Sequence, residues 1–436
     1  MRKERLTAFQ SDLARRMFHG AFWSFSGTAM GKLCLLVAGI LCAHLLKQEV
    51  FGQLGMIRST LNIFIVFGAS GIGVTATKLI STYRTNDIPR LLRMTRLTFR
   101  LAWVMALVLM VFCFVLARPI ARHILHAEHL TFELQIASLL LLFSILYGVQ
   151  NGVLTGLEQF KIMARNTFIG SLLEAVLMVA GAYFWGLTGA IVGLGIGLGA
   201  LFWVNRLSIK KHYAQYVVGE MQSTHTPNDW SMLLNDCIPA TLSALMVTPT
   251  FWGIRTILLQ YDGYNSLALF EAADQWKVMM LFIPTAISQM VLPILTSPLF
   301  LERIRQQRQQ FHHVLLANIV LIVGISSMIT LLVLLLGGPI MQLYGKGFSD
   351  KMPLVYLALS NIFSAYSNII EMSIYSKNKM WQAFVINLFW AIVLLVSAYG
   401  LVERGLNATG IALAVLIAYG LKSILATLYL TLFLKR

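Results

Sequence analysis

Long apolar runs, separated by short polar stretches that carry most of the basic residues, recur along the whole chain. Each run reaches the roughly 18 residues that a bilayer-crossing helix needs. The pattern predicts about twelve spans, at 18–45, 50–80, 95–117, 133–157, 164–185, 187–209, 232–260, 265–298, 312–336, 352–376, 380–401 and 409–434. No segment alternates apolar and polar positions over about ten residues, which excludes an outer-membrane barrel. The fold class is therefore an all-α polytopic membrane protein. "RRMF" (Arg15–Phe18) echoes a twin-arginine signal. No small-residue cleavage site follows a short apolar core, so the first span is expected to be an uncleaved helix with a basic flank.

Composition agrees with this reading. The chain has 436 residues, 58% of them hydrophobic and 12% charged, where a soluble domain runs near a quarter charged. A net charge of +16 would point to nucleic acid in a soluble protein. Here the basic residues flank spans, so no nucleic-acid partner is expected. They also alternate. The N-tail (Arg2, Lys3, Arg5, Arg15, Arg16) and every second loop are basic, with Arg84, Arg90, Arg93 and Arg96; Lys161 and Arg165; Arg206, Lys210 and Lys211; Arg303, Arg305 and Arg308; and Lys377 and Lys379. The other loops hold only Lys47, Arg118, Arg122, Lys346, Lys351 and Arg404. The positive-inside rule then puts both termini in the cytoplasm. The longest connection, 210–231, leaves no room for a soluble catalytic domain. Cys34, Cys42, Cys113 and Cys237 lie in apolar segments with no CxxC pair, which reads as packing.

A weak repeat runs at half the chain length. "RPIARHIL" at Arg118 matches "GPIMQLYG" at Gly338, "TGAIVG" at Thr188 matches "TGIALA" at Thr409, and "FGASGI" at Phe67 lies over "FIPTAI" at Phe282, at offsets of 220, 221 and 215. The shared offset predicts two six-helix lobes, 1–209 and 232–436, joined by a cytoplasmic linker at 210–231, with a cavity between them. Internal repeats of this kind are typical of transporters.

Charges fall where lipid is expected. Lys32 (span 1), Arg58 (span 2), Glu174 (span 5), Arg255 (span 7), Glu271, Asp274 and Lys277 (span 8) and Lys422 (span 12) all lie inside spans. A centred charge costs roughly 2.5–3.5 kcal/mol even on the lenient insertion scale, so five lipid-facing cations would cost on the order of 15 kcal/mol. They must pair, snorkel or face water. Ser24, Thr28 and Lys32 form one helical stripe, as do Arg58, Asn62, Ala69 and Gly73; Thr241, Thr248 and Arg255 recur every seven residues, and Glu271, Asp274 and Lys277 every three. Asp274 and Lys277 are spaced to pair locally. Arg58 and Lys78, about 30 Å apart along a helix, could instead snorkel to opposite interfaces, and Arg255 lies near the outer end of its span. Glu371 and Asp236 fall near the inner interface. Spans 1, 2, 7 and 8 together supply four cations (Lys32, Arg58, Arg255, Lys277) and two acids (Glu271, Asp274). Such a cavity would attract a phosphate-like anion, and its acids could titrate to couple an ion.

Other motifs carry less. "GASGIG" (Gly68–Gly73) lacks the GKS/T of a phosphate loop and follows no strand, so its glycines are expected to serve helix packing or bending. "GTAMG" (Gly27–Gly31) has GxxxG spacing. Pro239, Pro249, Pro284 and Pro293 are expected to kink spans 7 and 8. His123, His126 and His129 suit an interfacial turn better than a metal site. No nucleophile–base set is assembled, so neither enzymatic activity nor a cofactor is expected.

The stretch "KQEVFGQLGMIRSTLNIFIVFGASGIGVTATKLISTYR" (Lys47–Arg84) resembles the first-half signature of the polysaccharide transporter family. "YNSLALFEAADQWKVMMLFIPTAISQMVLPILTS" (Tyr264–Ser297) resembles its second-half counterpart, and "GVLTGLEQFKIMARN" and "LYGKGFSDKMPLVYLALSNIF" fit spans 4–5 and the span 9–10 turn. The family sits among the multidrug/oligosaccharidyl-lipid/polysaccharide (MOP) exporters, and the nearest subgroup looks like the Wzx-type O-antigen flippases. The resemblance implies a MATE-like fold of two alternating lobes. It also implies a bacterial inner-membrane flippase for undecaprenyl-pyrophosphate-linked glycan, working beside membrane lipids and polysaccharide polymerase and chain-length proteins. The family's cationic cavity is matched by Lys32, Arg58, Arg255 and Lys277 by helix only. Two rivals remain: a drug or cation antiporter of the same superfamily, and a membrane glycan polymerase or ligase.

Overall fold

The computed structural model describes residues 2–84, 87–214, 229–296, 308–376 and 380–433, and every regular element among them is helical. The helices are α1 (Arg2–Ile65), α2 (Gly71–Tyr83), α3 (Ile88–Pro119), α4 (Thr131–Gly156), α5 (Phe160–Tyr213), α6 (Asp229–Ala244), α7 (Val247–Thr296), α8 (Arg308–Gln342), α9 (Met352–Ser376), α10 (Met380–Glu403) and α11 (Asn407–Phe433). Among the described residues, eight helical stretches are long and apolar enough to cross a membrane. Residues 215–228 of the expected linker and Arg303, Arg305, Lys377, Lys379, Lys435 and Arg436 lie outside the described residues. So do the side chains of Arg2, Lys3, Arg5, Arg15, Arg16, Ser24, Asp236, Pro239, Pro293 and Arg308.

Three of the long helices are interrupted where the sequence pattern separates spans. Lys47 (φ 65) breaks α1, Trp185 and Gly186 break α5, and Gly263 (φ 76, ψ −170) breaks α7. At Gly186 (φ 60) and Gly263 the absence of a Cβ makes the left-handed backbone inexpensive. Span 2 is likewise not continuous. A π-helical turn, Val66–Ser70, separates α1 from α2 and overlaps the first half of "GASGIG", the kind of bulge that bends a helix. Span 7 is split between α6 and α7 at Leu245–Met246. Pro249 accounts for the split, because its ring collides with the carbonyl four residues earlier, that of Leu245.

The chain forms two compact units, one of Met1–Ala38 with Ile57–Leu245 and one of Gly39–Met56 with Met246–Arg436. Relative to the expected division at 210–231, α6 joins the first unit and the turn around Lys47 joins the second. Packing explains both. Gly71 backs onto the Cys237 carbonyl and Thr241 of α6. In the second unit, Gln48 donates to the Asn265 carbonyl (3.0 Å), His44 Nε2 meets the Leu343 carbonyl (2.8 Å), and Phe51 packs edge-on against Phe348. Gly52 and Gly55 seat against the Tyr264 carbonyl and the Glu271 side chain.

Small residues face inward and large apolar ones outward, as expected where lipid supplies no hydrophobic drive between helices. In α3, Ala102, Ala106, Cys113 and Ala117 are fully buried while Val104, Val108, Val111 and Val115 are exposed. Both glycine motifs act in packing. Gly27 and Gly31 of α1 seat on Ala164 and Ser171 of α5, and Gly73 and Gly152 bring α2 and α4 into backbone contact, where Thr77 Oγ1 donates to the Gly152 carbonyl (3.0 Å). Gly152→Leu is expected to lower stability by about 1–3 kcal/mol through overpacking. Gly199→Leu, with open space at its Cβ, should leave it unchanged. Thermal unfolding of the detergent-solubilised protein compares the two.

Candidate functional site

In the second unit, the break at Gly263 lays the two segments of α7 side by side. Arg255 therefore meets residues 16 and 19 positions further along. Its Nε donates to Glu271 Oε1, its Nη2 to Asp274 Oδ2 (2.7 Å) and its Nη1 to the Phe251 carbonyl (3.2 Å). Lys277 Nζ lies 3.4 Å from Asp274 Oδ1. Arg255 and Lys277 are buried, at 8% and 4% exposure. The Arg255 guanidinium lies 5.3 Å from the Phe270 ring centroid and the Lys277 ammonium 4.1 Å from that of Phe251. Two cations and two carboxylates thus neutralise one another, which is what permits their burial. Arg255 does not snorkel, and the expected Asp274–Lys277 pair is present.

A second charged cluster joins α9, α10 and α11. Lys422 Nζ donates to Glu371 Oε2 (3.1 Å) and Asn387 Oδ1 (2.6 Å), and Asn387 Nδ2 donates to Glu371 Oε1 (2.6 Å). The three close a ring in which each side chain contacts the other two. The Trp390 and Tyr419 rings flank the ammonium. A double-mutant cycle of Lys422→Met with Glu371→Gln is expected to give a coupling of about 1–3 kcal/mol in unfolding free energy. Additive single effects would contradict the pairing.

The first unit holds the remaining sequence-predicted residues. Lys32 is half-buried on α1, next to Gly31 where that helix seats on Ser171 of α5. Arg58, also half-buried, is the charge that acts on Glu174, which is 8% exposed at the centre of the first segment of α5. Gly197 packs directly on the Glu174 backbone. Nearer the start of the same helix lies a buried amide cluster. Asn166 Nδ2 donates to Asn205 Oδ1 (2.9 Å) and Ser208 Oγ (3.0 Å), and Asn205 Nδ2 to Asn151 Oδ1 (3.3 Å). The Tyr147 hydroxyl is bonded to Asn151 and Thr167 and interacts with Glu174.

Within each unit, the structure brings together Arg255, Glu271, Asp274 and Lys277, and separately Arg58 and Glu174. It adds Glu371 and Asn387, which the sequence pattern left at an interface or unremarked. Among the described residues, no three His, Cys, Asp or Glu side chains, His123, His126 and His129 included, could hold a metal.

A family model described as "Polysaccharide biosynthesis protein" matches residues 17–298. The "EPS I polysaccharide export inner membrane protein EpsE" of Ralstonia nicotianae (strain ATCC BAA-1114 / GMI1000) is 28% identical over 185 residues, 42% of this chain and 41% of that protein. The match therefore spans about two fifths of the relative's length. An inward-facing multidrug resistance MATE family transporter of the MOP superfamily superposes with a TM-score of 0.77 at 15% identity, over 92% of this chain and 93% of that one. The lipid II flippase MurJ, in an inward closed conformation, gives 0.73 at 16% identity over 93% and 87%. At these identities the structural likeness concerns the fold, which is that of the MOP transporters.

Proposed function

The chain belongs to the polysaccharide biosynthesis protein family, and on that premise we propose that it is an inner-membrane flippase. It moves undecaprenyl-pyrophosphate-linked oligosaccharide, an O-antigen or related surface-polysaccharide repeat unit, from the cytoplasmic to the periplasmic leaflet by ion-coupled alternating access. Twelve spans in two six-helix lobes, with both termini cytoplasmic, is the topology this reading adopts.

The observation that carries the reading is the cation excess among the described residues of the first unit, where Lys32 and Arg58 are both half-buried inside a span and Glu174 is the one buried acid among them. A cationic excess in a membrane interior suits a multiply charged anion, and an arginine fork can engage phosphate oxygens in pairs. The glycan needs water and the polyprenyl tail needs lipid, so the pyrophosphate is the part that charges can grip. In the second unit, Arg255 and Lys277 become available to an anion by exchange with Glu271 and Asp274. A drug or cation antiporter would favour acids and aromatic faces without this cation excess. Polymerase and chain-length proteins are the partners that would use the product.

Deletion of the gene tests the reading. Lipid-linked oligosaccharide is expected to accumulate in the cytoplasmic leaflet while a surface glycan disappears. Accumulation in the periplasmic leaflet would instead indicate a later step, polymerisation or ligation.

A further inference from the structure

We propose that Glu174 is the residue that takes up and releases the coupling proton in each transport cycle. The inference rests on the flippase reading for its consequence and on the first unit's geometry for its assignment.

Glu271 and Asp274, the acids that span 8 offers for coupling, are both ion-paired with Arg255, and Asp274 is also paired with Lys277. Glu371 is held by Lys422 and Asn387. Glu174 differs. Its side chain sits inside the first unit while its neighbours Leu172, Leu173 and Val176 face outward. Among the described residues, no hydrogen bond reaches its carboxyl, and Arg58 is the charge that acts on it. A carboxyl so placed can hold a proton without breaking an ion pair. When it loses the proton, it has a counter-charge in Arg58.

The elements around it supply the rest of the electrostatics. From α1 come Arg58 and, one residue beyond the Gly31–Ser171 contact, Lys32; from α4 comes Tyr147; the second segment of α5 presents Gly197, which cannot titrate. A line of polar side chains leads from the start of α5 toward the carboxyl. Exposed Arg165 reaches Asn166 (3.5 Å), Asn166 reaches Asn205, Asn205 reaches Asn151, and Asn151 reaches Tyr147. Asn166 lies about 12 Å from Glu174 along the helix axis. A proton would reach Glu174 along this polar line, through water recruited between its groups during the cycle. The movement is a proton transfer alone, bound at a carboxyl oxygen and released from it, with no other bond altered. Because Arg58 also serves the pyrophosphate, the proton on Glu174 and the anion at Arg58 bear on the same guanidinium.

The test uses purified full-length protein in proteoliposomes with a fluorescent lipid-linked oligosaccharide, with a pH gradient imposed in either direction. Wild type is expected to change its translocation rate several-fold with the gradient. Glu174→Gln should translocate at a rate indifferent to it, and Glu174→Asp should keep part of the response. Gradient dependence retained in Glu174→Gln, or absent from wild type that translocates, overturns the assignment. Wild type that translocates nothing refutes the flippase reading. Infrared difference spectra then decide the proton site separately. A carboxyl band that titrates in wild type and is lost in Glu174→Gln supports it, and an unchanged spectrum overturns it. Equal thermal unfolding of the variants excludes misfolding as the cause.

Discussion

Arg255→Leu is expected to destabilise the protein by about 3–5 kcal/mol, the usual cost of removing one partner from a buried ion pair. Arg255 serves two carboxylates at once, Glu271 through Nε and Asp274 through Nη2 at 2.7 Å. Without it, Asp274 keeps Lys277 at 3.4 Å, while Glu271 loses the guanidinium it is paired with. Against a total stability of roughly 5–15 kcal/mol, a large share of the folded population is lost. Arg255→Lys should recover only part, because an ammonium cannot present the two-pronged fork. Arg255→Met combined with Glu271→Gln should recover more, since it removes a charge of each sign. Thermal unfolding in detergent and the amount of protein in the membrane give the readout. Wild-type unfolding by Arg255→Leu would mean that the four side chains do not form one network.

Lys32→Ala is expected to weaken transport while leaving the fold intact. Lys32 is half-buried and lies outside the two tight charge clusters of the second unit. Loss of one charge-assisted hydrogen bond is worth about 1.5–3 kcal/mol, or roughly ten- to a hundredfold in apparent affinity. Lys32→Arg should retain more activity than Lys32→Gln if charge is what matters. Concentration dependence of glycolipid translocation separates the variants, with thermal unfolding as the control for folding. Equal activity of the Arg and Gln variants would remove Lys32 from the anion site.

The two outcomes would differ in kind because the two cations differ in surroundings, and the sequence conveyed only part of that difference. Local spacing was enough for the Asp274–Lys277 pair, three residues apart on one helix, and for the breaks at Lys47, Gly186 and Gly263, where polar or glycine residues interrupt apolar runs. It could not reveal the Arg255–Glu271 pair, which depends on two segments folding back on one another. Nor could it reveal Lys422–Glu371, separated by 51 positions. Glu371 reads as an interface residue because Lys377 and Lys379 follow it closely in the sequence; its partner comes from another helix. The split of span 7 was legible as a kink at Pro249. That α6 then packs with the first unit depends on Gly71 meeting Cys237 and Thr241, a contact no periodicity encodes. The glycines of "GASGIG" pack against neighbouring helices, as their small size suggests, while the π-helical turn that overlaps them is written in no periodicity.

The central claim is that this chain carries a glycan-bearing pyrophosphate lipid across a bilayer by means of cations held inside its spans. The most direct measurement is translocation of lipid-linked oligosaccharide by the purified protein in proteoliposomes, scored by accessibility of the glycan to an added glycosidase. The account predicts protein-dependent loss of protection in wild type, slowed at least tenfold in Lys32→Ala with Arg58→Gln. Translocation by that double variant at the wild-type rate, or none by wild type, would contradict it.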